Sequence, residues 1–324
     1  MRDETVVLVQ GASGADTVPG IERIANGVDL RFAGDEQSLR ASIAETDVLF
    51  GWDFRANALR EIWPRATRLK WVQWSGAGVD AVLFPDFANS KVILTNARGV
   101  FDVAMAEYTL GLILAMAKAF PETWRLQAQK TWKYRMTERV LAQQVLVIGV
   151  GSIGREIARM LSSVGMQVSG MGRTRRDHDP DFGIVYGSGE LLAALPLADY
   201  VVVVVPSTEQ SRGMLGAREF QAMKPTARLI NVARGDILDE TALCAALAEG
   251  AIAGAALDVF ATEPLPDSSP LWSMPNVIVS PHISGDFIDH QREIVNLFID
   301  NLDRYRSGQP LRNVVDKSLG FVGN

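Results

Sequence analysis

The stretch that most constrains this chain is residues 145–154, Val-Leu-Val-Ile-Gly-Val-Gly-Ser-Ile-Gly, continuing as Arg155-Glu-Ile-Ala-Arg-Met-Leu. An apolar run that breaks into glycines and resumes with helical spacing reads as a buried strand, a tight turn and a helix start. Gly149 permits the turn, Gly151 leaves room for a pyrophosphate against the backbone, and Gly154 lets the helix pack close to the strand. Ser152 and Ile153 lie in the first helical turn, whose amides face the phosphates of a dinucleotide. One glycine turn is weak evidence alone, so the rest of the chain has to agree with it.

With 324 residues and 48% hydrophobic content, the chain is long enough for two globular domains with separate cores. A formal charge of −6 argues against a nucleic-acid surface or an anionic membrane as partner. The single cysteine, Cys244, leaves no disulfide framework within the chain. The first residues hold an apolar run too short for a signal peptide, and no stretch nears the roughly 18 apolar residues of a membrane span. A soluble, cytoplasmic protein is expected.

Before the glycine turn, strand-like runs recur at 6–9, 28–32, 47–52, 69–74 and 92–95, with helix-length segments at 35–45 and 57–63 between them. After it, strands are expected near 166–171, 200–205, 227–232, 252–258 and 276–280, and helices near 187–194, 216–222 and 239–248. This alternation predicts an α/β fold with two doubly wound parallel-sheet domains. Gly11-Ala-Ser-Gly14 reads as an ordinary strand-end turn. Residues 102–119 form a long helix, apolar nearly all round, suited to burial between domains or subunits. The segment 121–143 is polar and carries Trp132. A final helix at 287–306 is expected to cross back onto the N-terminal domain.

In a dinucleotide site for NAD, the second strand usually ends in an acid that binds the adenine ribose. Here Met166-Gln-Val-Ser-Gly-Met171 runs into Gly172-Arg173-Thr174-Arg175-Arg176. Glycine opens space where the acid would stand, and a guanidinium such as Arg173 can fork onto a 2′-phosphate while Thr174 adds a hydrogen bond. NADP(H) is therefore preferred, with NAD(H) possible. The competing reading is a solvated arginine loop, Arg175 included, offset by Asp177, Asp179 and Asp181.

Of three histidines, His178 and His290 lie in polar surroundings. His282 follows the strand Val277-Ile-Val-Ser and Pro281, at the carboxyl edge where open α/β sheets bind ligands. Leu229-Ile-Asn-Val-Ala-Arg234 brings a guanidinium to the same edge, and Ala255-Ala-Leu-Asp258-Val-Phe leads to Glu263. Arg234 can hold a carboxylate and polarise the adjacent carbonyl. His282 can give a proton to the oxygen as hydride arrives at carbon, and Glu263 can orient the imidazole. Arg234, Glu263 and His282 are thus a catalytic set for a 2-oxo acid, and no metal is called for.

In Trp74-Ser-Gly-Ala-Gly-Val-Asp80, Thr95-Asn-Ala-Arg-Gly-Val100, the glycine turn, Asn231-Val-Ala-Arg234-Gly, Leu257-Asp-Val-Phe with Glu263-Pro-Leu-Pro, and Pro281-His282, the chain resembles the D-isomer-specific 2-hydroxyacid dehydrogenases. The resemblance implies a Rossmann dinucleotide-binding domain at 100–286 inserted in a flavodoxin-like substrate domain, discontinuous over 1–99 and 287–324. It implies that amides of the Ser75–Val79 loop, including Gly76, Ala77 and Gly78, help bind the substrate carboxylate; apart from the resemblance, Trp52 is a further candidate for substrate contact. The resemblance also implies that Pro206 and Ser207 line the cofactor cleft, that Asp258 lies near the nicotinamide and that a homodimer forms through the dinucleotide-binding domains; Val232 and Ala233 are further candidate cofactor contacts. Glyoxylate and hydroxypyruvate reductases of this family often prefer NADPH.

Ile283-Ser-Gly-Asp286-Phe287 departs from the small stretch usual after the histidine, which alters the pocket wall and leaves the particular 2-oxo acid open. Ala142-Gln143-Gln144 replaces the usual Gly-Lys and should be neutral. Trp52, Phe54, Trp74 and Met105 either line an aromatic pocket or belong to the core, and Trp132 is a candidate to reach a partner subunit. A dehydrogenase of another donor, such as phosphite, and a nucleotide-sensing binding protein of the same fold are the alternatives.

Overall fold

The computed structural model describes residues 4–24, 26–54 and 58–323. The chain divides into two compact units, Met1–Phe101 with Phe287–Asn324, and Asp102–Asp286. In the first unit the strands are β1 (Thr5–Gln10), β2 (Val28–Ala33), β3 (Val48–Gly51), β4 (Trp71–Trp74) and β5 (Ile93–Thr95). Between them lie α1 (Glu36–Ser42), α2 (Leu59–Ile62) and α3 (Pro85–Ala88). Sheet order is β2-β1-β3-β4-β5, with every pairing parallel, the flavodoxin-type order. Alternate residues of β1 serve opposite faces. Leu8 packs with Leu39, Ile43 and Phe87, while Val7 and Val9 pack with Phe50 and Trp71. At the start of α1, the Ser38 amide donates to the Asp35 carboxylate at 2.7 Å, which satisfies an amide that helix geometry leaves without a partner.

The second unit opens with α4 (Asp102–Ala117) and α5 (Phe120–Ala128), bent by 62° from each other. The bend falls at Ala119, whose φ is +50°. Then follow β6 (Gln144–Ile148), α6 (Ser152–Ser163), β7 (Gln167–Met171), β8 (Arg176–Asp179), β9 (Gly183–Tyr186) and α7 (Leu191–Ala194). The unit is completed by β10 (Tyr200–Val203), α8 (Ala217–Ala222), β11 (Arg228–Asn231), α9 (Glu240–Ala248), β12 (Gly254–Leu257) and β13 (Val277–Val279). The order is β13-β12-β11-β10-β6-β7-β9-β8. All pairings are parallel except β8 with β9. Strand order reverses between β6 and β10, the switch point at which such sheets bind ligands.

The chain therefore has the α/β class and the two parallel sheets expected, with differences in detail. Two strands, β8 and β9, stand where the sequence suggests a polar loop, and they occupy the place of a crossover helix. The span 187–194 yields only the single turn α7 between short 3₁₀ turns. The polar segment after α4 begins with a helix, α5. Part of the expected helix at 57–63 lies outside the described residues, and Leu59–Ile62 is what the structure describes of it.

The last helix, α10 (His290–Ser307), joins the first unit. Phe298 stacks on Phe50 with ring centroids 4.2 Å apart, and Ile294, Val295 and Leu302 fill the same face of the sheet. Among the described residues no single helix is long and apolar enough to cross a membrane.

Candidate active site

In the second unit, loops at the carboxyl edge of the sheet carry the candidate residues. β6 delivers Gly149, whose φ of +119° favours a residue without a side chain. A Cβ there would lie 2.7 Å from the Val204 carbonyl oxygen, and one on Gly154 would lie 1.9 Å from the Gly149 oxygen. Gly151 differs, since nothing stands within 4 Å of its vacant Cβ position. Two glycines thus let α6 pack against the sheet, and the third leaves open space before the first amides of α6, which have no intrahelical acceptor. Ser152 and Ile153 begin that turn, and this cradle fits the pyrophosphate of a dinucleotide.

At the end of β7, a Cβ on Gly172 would sit 2.9 Å from Val150 Cγ2, so the missing side chain accommodates the neighbouring turn. Arg173 and Thr174 are exposed. Arg175 ion-pairs with Asp177 at 2.8 Å and Glu190 at 2.6 Å. The acids that follow are engaged too: Arg155, on the first turns of α6, reaches Asp179 at 2.9 Å and Asp181 at 2.5 Å. The Asp179 side chain is 2% exposed, and the Arg155 guanidinium holds its carboxyl below the usual aspartate range. This pairing fastens the β8–β9 hairpin to α6.

Arg234 follows β11 through Val232 and Ala233, both buried. Asn231 shapes that turn, accepting from the Ala233 amide at 3.0 Å and donating to the Arg234 carbonyl at 2.9 Å. Gly235 lies so close to the next loop that a Cβ would meet the Phe260 carbonyl carbon at 1.8 Å. In that loop Glu263 uses both oxygens: Oε1 accepts from the Phe260 amide at 3.1 Å, and Oε2 lies 2.7 Å from His282 Nδ1. With Nδ1 as donor to the carboxylate, proton exchange falls to the other ring nitrogen, Nε2.

His282 has a φ of +56°, a conformation that costs a non-glycine residue energy and persists only where its surroundings impose it. Asp258 does so. Its carbonyl accepts from the His282 amide at 2.8 Å. Its carboxyl oxygens accept from Ser280 Oγ at 2.6 Å, the Ile283 amide at 3.0 Å and the Ser284 amide at 2.8 Å. On α4, burial pushes the phenol of Tyr108 up. Asp258 is wholly buried, and these contacts make it a buttress of the His282 loop. Pro206 and Ser207 follow β10, with Ser207 Oγ donating to Asp236 at 2.6 Å.

In the first unit, the loop after β4 is held from inside. Ser75 Oγ donates to the Trp52 carbonyl at 2.8 Å. The Ala97 amide donates to the Gly76 carbonyl at 3.1 Å, and Asn96 Nδ2 to the Ala77 carbonyl at 2.6 Å. Gly76 to Gly78 remain half-buried. Trp52 packs edge-on against Phe50. Trp74 is core, 2% exposed, and Met105 is buried on α4, which decides the core reading for both. Trp132 is fully exposed. The sequence reading did not single out Arg155, Asn96, Ser280 or Ser284. An aspartate at the end of a buried strand, as at Asp258, was a usable signal, because such a group requires donors.

The family model for the NAD binding domain of D-isomer specific 2-hydroxyacid dehydrogenases matches residues 110–284. The chain belongs to this family. A glyoxylate reductase of Thermofilum pendens is 34% identical over 268 residues, covering 80% of this chain and 78% of its own length. An NADPH-dependent glyoxylate/hydroxypyruvate reductase of Sinorhizobium meliloti, solved in complex with NADP and sulfate, matches with a TM-score of 0.84 at 26% identity, covering 98% of this chain and 100% of that one. A D-isomer specific 2-hydroxyacid dehydrogenase of Xanthobacter autotrophicus Py2, solved with NADPH and MES, matches with a TM-score of 0.82 at 31% identity, covering 98% and 100%. As a 2-hydroxyacid dehydrogenase, the chain is an oxidoreductase with a nicotinamide dinucleotide as cofactor and small 2-oxo or 2-hydroxy acids as its substrate class.

Proposed function

We propose that this dehydrogenase is an NADP(H)-dependent reductase of small 2-oxo acids of the glyoxylate and hydroxypyruvate type. The observation that carries the reading is the Glu263–His282 pair at 2.7 Å, on the same sheet edge as Arg234. A nicotinamide dinucleotide, held by the 149–154 turn, supplies or accepts the hydride when bound. Arg234 binds the carboxylate and draws electron density from the adjacent carbonyl. His282 Nε2 carries the proton that the carbonyl oxygen takes in reduction and receives it back in oxidation. Glu263 holds the ring to that task.

For NADP(H), Arg173 and Thr174 are the residues assigned to the 2′-phosphate. Arg175, paired with Asp177 and Glu190, supports the turn in this reading. Relatives solved with NADP or NADPH support the preference. A homodimer through the second unit is inferred from Phe120, Trp124, Trp132, Tyr134 and Met136, large apolar side chains exposed over α5 and the following segment. Sedimentation at monomer mass across the micromolar range would remove it.

Steady-state rates with NADPH and NADH across glyoxylate, hydroxypyruvate and aromatic 2-oxo acids test the activity. Turnover of a small 2-oxo acid with NADPH preferred is expected. NADH preference would overturn the Arg173 assignment, and turnover of phosphite alone would replace the substrate class. Dinucleotide binding without turnover of any acid would favour a sensing role.

A further inference from the structure

The C-terminal segment, residues 312–323, has no place in the mechanism above, yet it is among the most firmly tied parts of the first unit. Arg312 is gripped through its backbone by the buried Asn301 of α10, whose Oδ1 accepts from the Arg312 amide at 2.8 Å. The Val315 amide donates to Leu94 at 2.8 Å, and Val314 bridges Thr95 of β5. Lys317 then inserts its ammonium among the carbonyls of Phe87, Ser90 and Val92, at 3.0, 2.7 and 2.9 Å, over the Phe87 ring. Burial lowers the pKa of that ammonium.

Asn313 links this strap to the loop after β4. It has a φ of +56°, which asparagine tolerates better than most residues. Its Nδ2 donates to the carbonyls of Arg98 at 2.7 Å and Asn96 at 3.3 Å, and its own carbonyl accepts from the Asn96 amide at 3.3 Å. Both faces of the Asn96 backbone are therefore set by Asn313. Asn96 Nδ2 in turn donates to Ala77 O at 2.6 Å, and the Ala97 amide to Gly76 O at 3.1 Å. In a planar trans peptide unit, carbonyl and following amide point in opposite directions. Holding the carbonyls of Gly76 and Ala77 on the Asn96 side therefore turns the N–H groups of Ala77 and Gly78 away from it.

We propose that Asn313 is a positioning residue: acting through Asn96, it orients the amides of Ala77 and Gly78 as paired donors for the carboxylate of a small 2-oxo acid. The amide orientation stands on the hydrogen bonds alone; the carboxylate as its target rests on the proposed function.

The test is Asn313→Gly, which keeps the left-handed backbone and removes the side-chain donor, read in the full chain by amide hydrogen exchange and by kinetics. Exchange over residues 75–79 should quicken by about tenfold, as local opening becomes easier, and KM for glyoxylate should rise about tenfold while kcat and the NADPH KM stay within about twofold. Lys317→Met loosens the strap farther away and should move both readouts the same way by less. It also serves if Asn313→Gly unfolds. Unchanged exchange at 75–79 in both variants would overturn the proposal whether or not the wild type reduces a 2-oxo acid. Faster exchange with an unchanged KM for an acid that the wild type does reduce would overturn the carboxylate role. A wild type inert to every 2-oxo acid would instead count against the proposed function, with the exchange result still deciding the positioning.

Discussion

β1 and β6 each open a parallel sheet, and each ends in a glycine-bearing turn, Gly11-Ala-Ser-Gly14 and Gly149-Val-Gly-Ser-Ile-Gly154. The two turns use missing side chains for opposite ends. At Gly11 the vacancy is filled from within, since a Cβ would lie 2.4 Å from that of Asp53, and only a 3₁₀ turn, Ala15–Thr17, follows. At Gly151 the vacancy opens onto free space, and the twelve residues of α6 follow. A glycine turn becomes a phosphate site when both conditions hold: room before the backbone, and a helix whose first amides lack acceptors.

The contrast can be broken by experiment. If the chemistry lies on the sheet edge of the second unit, His282→Ala should lower kcat by about 10²–10⁴, the usual loss with a general acid, whereas Gly11→Ala should leave kcat unchanged and lower only the melting temperature. Comparable losses of kcat in the two variants would erase the distinction. Arg173→Ala should cut the preference for NADPH over NADH by about 10–100-fold, the worth of charged hydrogen bonds to a phosphate, in a comparison of kcat/KM for the two cofactors. Gly151→Ala should fold normally, having nothing to strike, yet raise the NADPH Kd by about tenfold in a fluorescence titration, because a methyl then stands where the pyrophosphate approaches. Weaker binding in Gly11→Ala by the same factor would show that the turns are not different in kind.

The smallest effect concerns pH. Asp179 is held below its ordinary value of 3.8 by Arg155. A depressed carboxyl contributes stability that is present above the unfolded-state pKa and lost as pH falls through the folded-state pKa. Hydrogen exchange in the β8–β9 hairpin should therefore quicken as pH falls below about 3.8, after correction for intrinsic rates. Arg155→Met should flatten that dependence, and an unaltered profile would remove the ion pair from any role in the hairpin.

Legibility in the sequence followed locality. Strands such as Val145–Ile148 and Tyr200–Val203 are buried on both faces, so their apolar runs announce them. β8, Arg-Asp-His-Asp, has no such pattern. It is held by Arg155, more than twenty residues earlier, a partner that no local window contains. Trp74 invited a pocket reading because it ends a strand, but Gly51 on the neighbouring strand leaves the space its ring fills, with a Gly51 Cβ only 2.2 Å from Trp74 Cε3. Glu263 and His282 could be singled out because each follows a strand, and they meet in space. What holds them, the donors converging on Asp258 and the strap around Asn96, is built from backbone amides and common polar residues, which carry no sequence signature.

The surroundings of Asp258 bear on the calorimetry of binding. Its oxygens gather the hydroxyl and two amides of residues 280–284, so the histidine loop could not come loose without leaving a buried group without donors. The ordering entropy of that loop belongs to folding, and association proceeds without it. Titration calorimetry of the second unit's ligands should accordingly show a heat-capacity change set by the apolar surface covered, with no added increment from residues 280–284 folding onto the complex.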